Sequence, residues 1–448
     1  MVQEILLFQF LIRAPFLAYN AGMRRGWLAL LMLTLASTSA FAQMSMNMGG
    51  PAASLNDNIL RHMGSGTDLE PASDAPPMLM AMRPSGWMLM LHGEASAVEQ
   101  QQTGPRGHDK FFSVNWLMPM AQRSYGKSAL TLRAMFSLEP ATITGRLYPE
   151  LFQEGETAFG KPIVDGQHPH DFFMELAVLY DYKIGAHGLV SLYAAPVGDP
   201  ALGPEAFPHR ASIGDDPLAP LGHHLEDSTH IADEVVTGGV AWGLGQRGVR
   251  VEASGFHGRE PGENRWIIQA GAIDTWSARV TVAPGKDWSM QYSLSHLHSP
   301  ESAHPAEDVL RQTASVAYHH ATGSTVLDSI AVWGRNHTSG SAINANGYLL
   351  EAGLRVKEKQ IVWTRIENVD RTTDLLGAAA PPVESVVGRV QAATGGYAHR
   401  VWGWKDGSAE LGGQFTGYGV PDRLIPFYGR HPVGVAGVFE VRLGKGEK

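Results

Sequence analysis

Histidines, carboxylates and methionines are the residues of this chain that could do chemistry. Its 448 residues include 19 His and 17 Met but no Cys, which excludes thiolate metal sites, Cys nucleophiles and disulfides. The densest polar run is Asp165-Gly166-Gln167-His168-Pro169-His170-Asp171, preceded by Glu154 and Glu156. It is too long for a tight turn and too polar for a core, so it reads as a functional loop carried by a scaffold. His168 and His170 are two residues apart, and Pro169 keeps the backbone extended, so both imidazoles face one side of a strand. A second set follows in His223, His224, Asp227 and His230, with His209 ahead of it. Imidazole with carboxylate suits Zn or Cu(II) where three or four such groups converge. Polar loops also use these groups to hydrogen-bond one another and the wall beneath them, and the sequence leaves both readings open.

A softer donor set lies upstream. Met44, Met46 and Met48, then Met78, Met80 and Met82, then Met88, Met90, His92 and Glu94 recur at spacing two. On an extended strand Met88, Met90 and His92 share one face, opposite Trp87, Leu89 and Leu91. Thioether with imidazole favours Cu(I), while the competing reading is flexible packing of methionines against a wall. The pattern requires no cofactor; Cu and Zn are the ions it would take. Hydrolytic signatures are missing: there is no Gly-x-Ser-x-Gly, no His-Glu-x-x-His and no phosphate loop. Ser228 near His230 is a weak nucleophile candidate, so the expectation is a protein that is not an enzyme.

The elements that position these residues follow from the N-terminus and the periodicity. Met23-Arg24-Arg25, the apolar run Trp27–Leu35 and Ser39-Ala40-Phe41-Ala42 form the basic, apolar and cleavage regions of an export signal. Residues 1–42 are therefore read as a signal region, with Met23 as the expected start. The formal net charge is −9, and loss of Glu4, Arg13, Arg24 and Arg25 makes the exported chain more acidic. An acidic exported chain is no nucleic-acid binder. Residues 43–85, rich in Met, Pro, Ser and Gly, show no periodicity and read as a flexible segment or a plug.

From residue 86 to 448 the period is two. In Trp288–His296, Trp288, Met290, Tyr292 and Leu294 alternate with Ser289, Gln291, Ser293 and Ser295. Runs near 86–97, 110–122, 128–139, 171–182, 188–196, 235–244, 249–258, 276–283, 288–296, 310–320, 325–336, 345–356, 360–369, 386–402, 408–418 and 432–444 predict about 16 strands. Their connections alternate between short turns and long segments, notably 140–170 and 197–234. The class this predicts is all-β: a single antiparallel transmembrane β-barrel with short periplasmic turns and long extracellular loops. Its lumen wall would carry Arg133, Glu175, Arg250, Glu252, Arg279, Glu351 and Arg355, with Arg389, Glu410, Glu440 and Arg442. Charges of both signs suit a hydrated pore, or anchor a plug if the long loops fold inward. Trp276, Trp288, Trp402 and Trp404 near strand ends match interfacial girdles. The runs near 325–336 and 360–369 alternate imperfectly.

On these runs and connections the chain resembles porin-like outer-membrane β-barrel proteins of Gram-negative bacteria. It is also similar to poorly characterised exported proteins carrying the Asp165–Asp171 segment. The resemblance implies an outer-membrane pore for small solutes or ions. Its mouth would be constricted by Glu154, Glu156, Asp165, Gln167, His168, His170 and Asp171. Metal capture through the His and Met clusters is the alternative. Expected partners are outer-membrane lipid, the barrel-assembly machinery and, as an open alternative, further copies of the chain.

Overall fold

A computed structural model describes residues 51–228, 233–301, 304–340, 344–373, 375–376 and 387–444. The signal region, Met23, Met44, Met46, Met48 and His230 lie outside the described residues, as does the side chain of Glu156.

The alternating runs are strands. In chain order they are β1 (Leu79–Met82), β2 (Met88–Gln102), β3 (Lys110–Tyr125), β4 (Ser128–Phe136), β5 (Tyr148–Ala158), β6 (Lys161–Gln167), β7 (Phe173–Ile184), β8 (Gly188–Val197), β9 (Asp233–Leu244) and β10 (Arg247–His257). There follow β11 (Thr275–Gly285), β12 (Trp288–Leu297), β13 (Val309–Thr322), β14 (Thr325–Thr338), β15 (Asn344–Val356), β16 (Gln360–Arg371), β17 (Gly388–Trp404), β18 (Gly407–Gly419) and β19 (Val433–Leu443). Strands β2 to β4 and β7 to β19 pair antiparallel in sequence order, and β19 closes onto β2 from Gly434↔Gln102 to Leu443↔Gly93. The result is a closed barrel of sixteen strands. Closure leaves no unpaired sheet edge, the condition for strands to cross hydrocarbon. β1 extends the β2 edge beyond β19, while β5 and β6 form a separate hairpin inside the connection from β4 to β7.

The outer face is apolar. Val178, Leu192, Val240, Val251, Leu350, Ile366, Leu411 and Phe439 all point outward and are exposed. Tyr125, Tyr182, Trp242, Trp288, Trp402 and Trp404 ring the short-turn end, and Phe111, Trp276, Tyr348 and Phe415 stand toward the other. Such an exterior is stable against lipid rather than water, so the fold is a transmembrane β-barrel. Among the described residues no helix is long and apolar enough to cross a membrane.

Besides the β5–β6 hairpin, which buries Leu151 and Phe152 against Val369, Val390 and Leu221, two pieces of chain fill the lumen. Of the segment read from composition as flexible or as a plug, residues 51–82 lie against the inner wall of the barrel. Helix α1 (Leu55–Arg61) is capped by Ser54 and sits at the short-turn end, burying Leu55 and Ile59 against Leu189, Ala241 and Ala283. Gly243 and Gly248 make room for it, since a Cβ on Gly243 would meet Leu55 Cβ at 2.9 Å. The connection from β8 to β9 also turns inward: Ala201 N donates to Ser254 Oγ at 2.8 Å and Gly203 N to Ser293 Oγ at 2.8 Å. Both Ser side chains belong to the polar inward set of their strands.

This filling explains the imperfect alternation near 360–369. Ile361 and Trp363 of β16 point inward, yet are apolar because they pack against Ala398 rather than water. A Cβ on the loop residue Gly214 would stand 2.7 Å from Trp363 Cβ, so the loop backbone lies directly on the ring.

Candidate functional site

The loop segment at the mouth is tightly stapled. Asp165 adopts φ 54 in the left-handed region, and its carboxylate accepts from Phe152 N at 2.9 Å and Arg106 Nη1 at 3.0 Å. Burial raises the Asp165 carboxyl above its ordinary range, partly offset by those donors. Gln167 Nε2 lies 3.2 Å from His168 Nε2, and His168 Nδ1 lies 2.9 Å from Pro169 O. His170 N donates to Glu139 Oε2 at 2.8 Å, and the same oxygen lies 2.9 Å from His170 Nδ1. Burial works against the His170 cation, but Glu139 outweighs it and raises the pKa. Asp171 faces Arg265 at 3.6 Å, and Glu154 accepts from Thr372 N at 3.1 Å.

The second histidine set is also bound into the protein. The His223 and His224 rings lie 4.0 Å apart, tilted by 42°, His223 Nδ1 lies 2.8 Å from Pro220 O, and His224 faces Glu260 at 3.7 Å. Burial holds His223 well below the usual imidazole range. Phe207 lies 5.5 Å from His170 and 5.6 Å from His223, in contact with both rings. Asp227 accepts from Arg210 Nη2 at 3.0 Å in a fully buried ion pair. The two sets are thus neighbours at one rim, with backbone carbonyls, carboxylates and Arg210 as their observed partners.

Deeper in the lumen the charged wall residues reach the two inner pieces. Arg133 forms a bidentate pair with Glu175 at 2.6 and 2.8 Å and donates to the carbonyls of His62 at 3.1 Å, Gly64 at 2.6 Å and Gly66. Glu175 also accepts from Gly66 N at 3.1 Å and Tyr193 OH at 2.7 Å. Arg250 donates to Thr67 O at 2.6 Å and pairs with Glu252. Arg279 joins Glu252, Asp68 and Gly203 O. Glu351 accepts from Ser212 Oγ at 2.7 Å and from Arg365, which also donates to Leu218 O at 2.9 Å. Arg355 is half-buried and in electrostatic contact with Asp215. Arg389 corrects the sequence reading: it lies on the outward set of β17, close over the Tyr348 ring, because Val390 and Ala392 are the buried members. Arg311, Arg371 and Arg442, bonded to Asp227 O, Leu221 O and Gly214 O, complete the set.

The soft donors converge more than the sequence suggested. Met90 and His92 point into the lumen as expected, and register pairs them with Met120 and Met118 of β3. Met78, Met90, Met118, Met120 and Met135 form one buried cluster, with Met63, Met80 and Met88 packed against it. His209 was expected at the rim with the other loop histidines. The inward course of the loop instead carries it to Met135, with Nε2 3.2 Å from Sδ. The signal for Met118 and Met120 was the period-two spacing in β3 on the side facing Met90 and His92. No local signal could place His209.

One further group was not among the sequence candidates. Asp74, His319 and Asp328 offer donor atoms that lie within 4.8 Å of one another, an arrangement of metal-ligand type among the described residues. His319 Nδ1 lies 2.6 Å from Asp328 Oδ1 and 3.7 Å from Asp74 Oδ1, which ties the N-terminal piece to the wall.

No protein-family model matches the chain, and no curated protein is similar to it. Among solved structures it is similar to an anion-selective porin from Comamonas acidovorans, at 11% identity and TM-score 0.46, over 80% of this chain and 99% of the porin. It is also similar to a loop L8 deletion mutant of OmpT, an outer membrane protein of Vibrio cholerae. There the identity is 10% and the TM-score 0.44, over 79% of this chain and 99% of that one. The fold assignment rests on the strand pairing described above.

Proposed function

We propose that this protein is a channel-type barrel of the Gram-negative outer membrane. Its resting lumen is closed by residues 51–85 and by the loop 198–228, and it passes small solutes or ions when the closure is withdrawn. The short turns then face the periplasm and the long loops the exterior. The observation that carries this reading is the character of the contact between wall and filling. Arg133, Arg250, Arg279, Arg311, Arg365, Arg371 and Arg442 all donate to backbone carbonyls of the filling. Each such bond can be exchanged for one to water as residues 51–85 withdraw, and the apolar surface this exposes lies where Leu55 and Ile59 meet Leu189, Ala241 and Ala283 and where Met78 joins the methionine cluster. The mouth loop with Asp165, Gln167, His168, His170 and Asp171 shapes the entrance by the same kind of bond. In this reading the protein is not an enzyme, and its partners are lipid and the assembly machinery.

Conductance of the refolded full chain in planar bilayers tests the proposal, beside a variant lacking residues 51–85. The full chain is expected to show a low, flickering conductance and the shortened chain a larger and steadier one. A shortened chain that inserts and stays impermeable would overturn the channel reading and leave the fold standing.

A further inference from the structure

Between the Arg133–Glu175 and Glu94–Arg442 pairs, one patch on the inner faces of β2, β3 and β4 holds soft donors in place of charges. His92 Nε2 lies 3.1 Å from Met118 Sδ, and His209 Nε2 lies 3.2 Å from Met135 Sδ. The two imidazole rings are 5.6 Å apart, and Trp116 lies 4.2 Å from the His209 ring and 5.1 Å from that of His92. All four donor side chains are buried.

We infer that His92, Met118, His209 and Met135 form a binding site for a soft monovalent cation, Cu(I) or Ag(I). A thioether is only a weak hydrogen-bond acceptor, so pairing two buried imidazoles with sulfur satisfies them poorly. Those same atoms are good ligands: thioether sulfur selects Cu(I), and neutral imidazole nitrogen joins it. Their spacing fits, because a first-row metal bonded to one nitrogen and one sulfur holds them roughly 3 to 3.5 Å apart. The His209 ring approaches Met135 through Nε2. Its other nitrogen, Nδ1, faces Glu205 Oε1 at 3.8 Å, the side on which a ligating imidazole commonly meets a carboxylate. Trp116 packs against both imidazoles, tilted 32° to the His209 ring and edge-on to that of His92, and holds the two rings side by side. Hard cations are disfavoured, since no carboxylate oxygen is among the four donors. The site stands whether or not the barrel conducts, because its donors come from three wall strands and one loop that the structure already holds together.

Anaerobic titration of the purified full chain with Cu(I), in competition with a chromogenic Cu(I) chelator, tests the assignment. One equivalent is expected to bind, with mixed nitrogen and sulfur neighbours in X-ray absorption. M118L and M135L, which keep the volume, should each weaken binding at least tenfold, and the double variant should abolish it. H223A/H224A at the rim should leave binding unchanged. Wild-type binding no tighter than the chelator, oxygen-only coordination, a double variant that binds like wild type, or loss of binding in H223A/H224A would each overturn the site. Should the double variant fail to refold, Ag(I) on the wild-type protein supplies the second readout. It should shield Met118 and Met135 from peroxide oxidation read by mass spectrometry, and equal oxidation with and without Ag(I) would count against the site.

Discussion

The two pieces that fill the lumen are held in different ways, and the difference indicates which of them can leave. The loop 198–228 is anchored at both ends by barrel strands, and five arginines from four strands, Arg279, Arg311, Arg365, Arg371 and Arg442, reach its carbonyls from several directions. Its helical turn His223–Glu226 also lies on Gly334 and Gly347, where a side chain would collide with Leu225 and Glu226. Within the described residues the segment 51–85 runs into a barrel strand at one end only, at β2, while at its other end Leu55 N donates to Gly245 O and Gln246 Nε2 to Ala52 O. Arg133, Arg250 and Arg279 bind its middle, and α1 rests in a small apolar seat at the short-turn end. Withdrawal of this segment strains no strand connection. In the proposed channel the segment 51–85 is therefore the movable closure and the loop the fixed constriction.

The largest expected effect comes from the buried pair that grips the segment. Glu175→Ala removes the bidentate partner of Arg133 and the acceptor of Gly66 N and Tyr193 OH, leaving a guanidinium buried with carbonyls alone. Breaking one side of such a pair costs about 3–5 kcal/mol. Amide hydrogen exchange at residues 62–68 should then accelerate by two orders of magnitude or more, while residues 223–226 of the loop keep wild-type rates. Equal acceleration in both pieces would show that they move as one body and break the comparison.

A smaller effect is expected at the joint between the pieces. Glu70 of the segment and Glu205 of the loop share a hydrogen bond, and burial raises both carboxyls, Glu205 well above its ordinary range. Asp74, facing Asp328 and His319, is pushed up by burial to about 7. Arg210 and His319 oppose the shift of Glu70 without reversing it. A carboxyl whose pKa is raised in the seated state binds its proton there and releases it on withdrawal. Seating is then strongest below the ordinary carboxyl range, near pH 4, and is lost progressively as pH rises to about 7. Conductance should therefore increase between pH 5 and 7. Glu205→Gln, which keeps the hydrogen bond without the titration, should flatten that rise, and an unchanged profile would remove the joint from the account.

The barrel was legible in the sequence because period-two alternation and alternating turn lengths are local signals, and lipid enforces the outer half of the pattern at every strand. The inner half was legible only as polarity. Arg133 and Glu175 could be placed on the wall from their strand positions, yet their bonds to Gly64 and Gly66 depend on a segment with no periodicity. Trp363 looked like a flaw in a strand until Gly214 was seen lying on it. His209 was misplaced for the same reason: it belongs to a long connection, whose inward course is fixed by Ser254, Ser293 and Glu351 on distant strands and by nothing adjacent in sequence. Asp74, His319 and Asp328 come from two chain regions that only the threading of the segment brings together.

The smallest expected effect is at the exposed end of the segment. Lys183 Nζ lies 3.2 Å from Asp57 Oδ1 on α1, with both side chains 43% exposed. It joins the same segment to the same wall as Arg133 and Glu175, and involves the same types of charge. Water screens it, so Lys183→Ala should cost no more than about 1 kcal/mol, with exchange at residues 62–68 rising less than fivefold. Salt should abolish even that difference, whereas the Glu175→Ala effect should survive 1 M salt, because the Arg133 pair is out of reach of mobile ions. If instead the two variants loosened the segment equally, the grip would come from net attraction between the pieces. The distinction between a buried clasp and a surface contact would then fall.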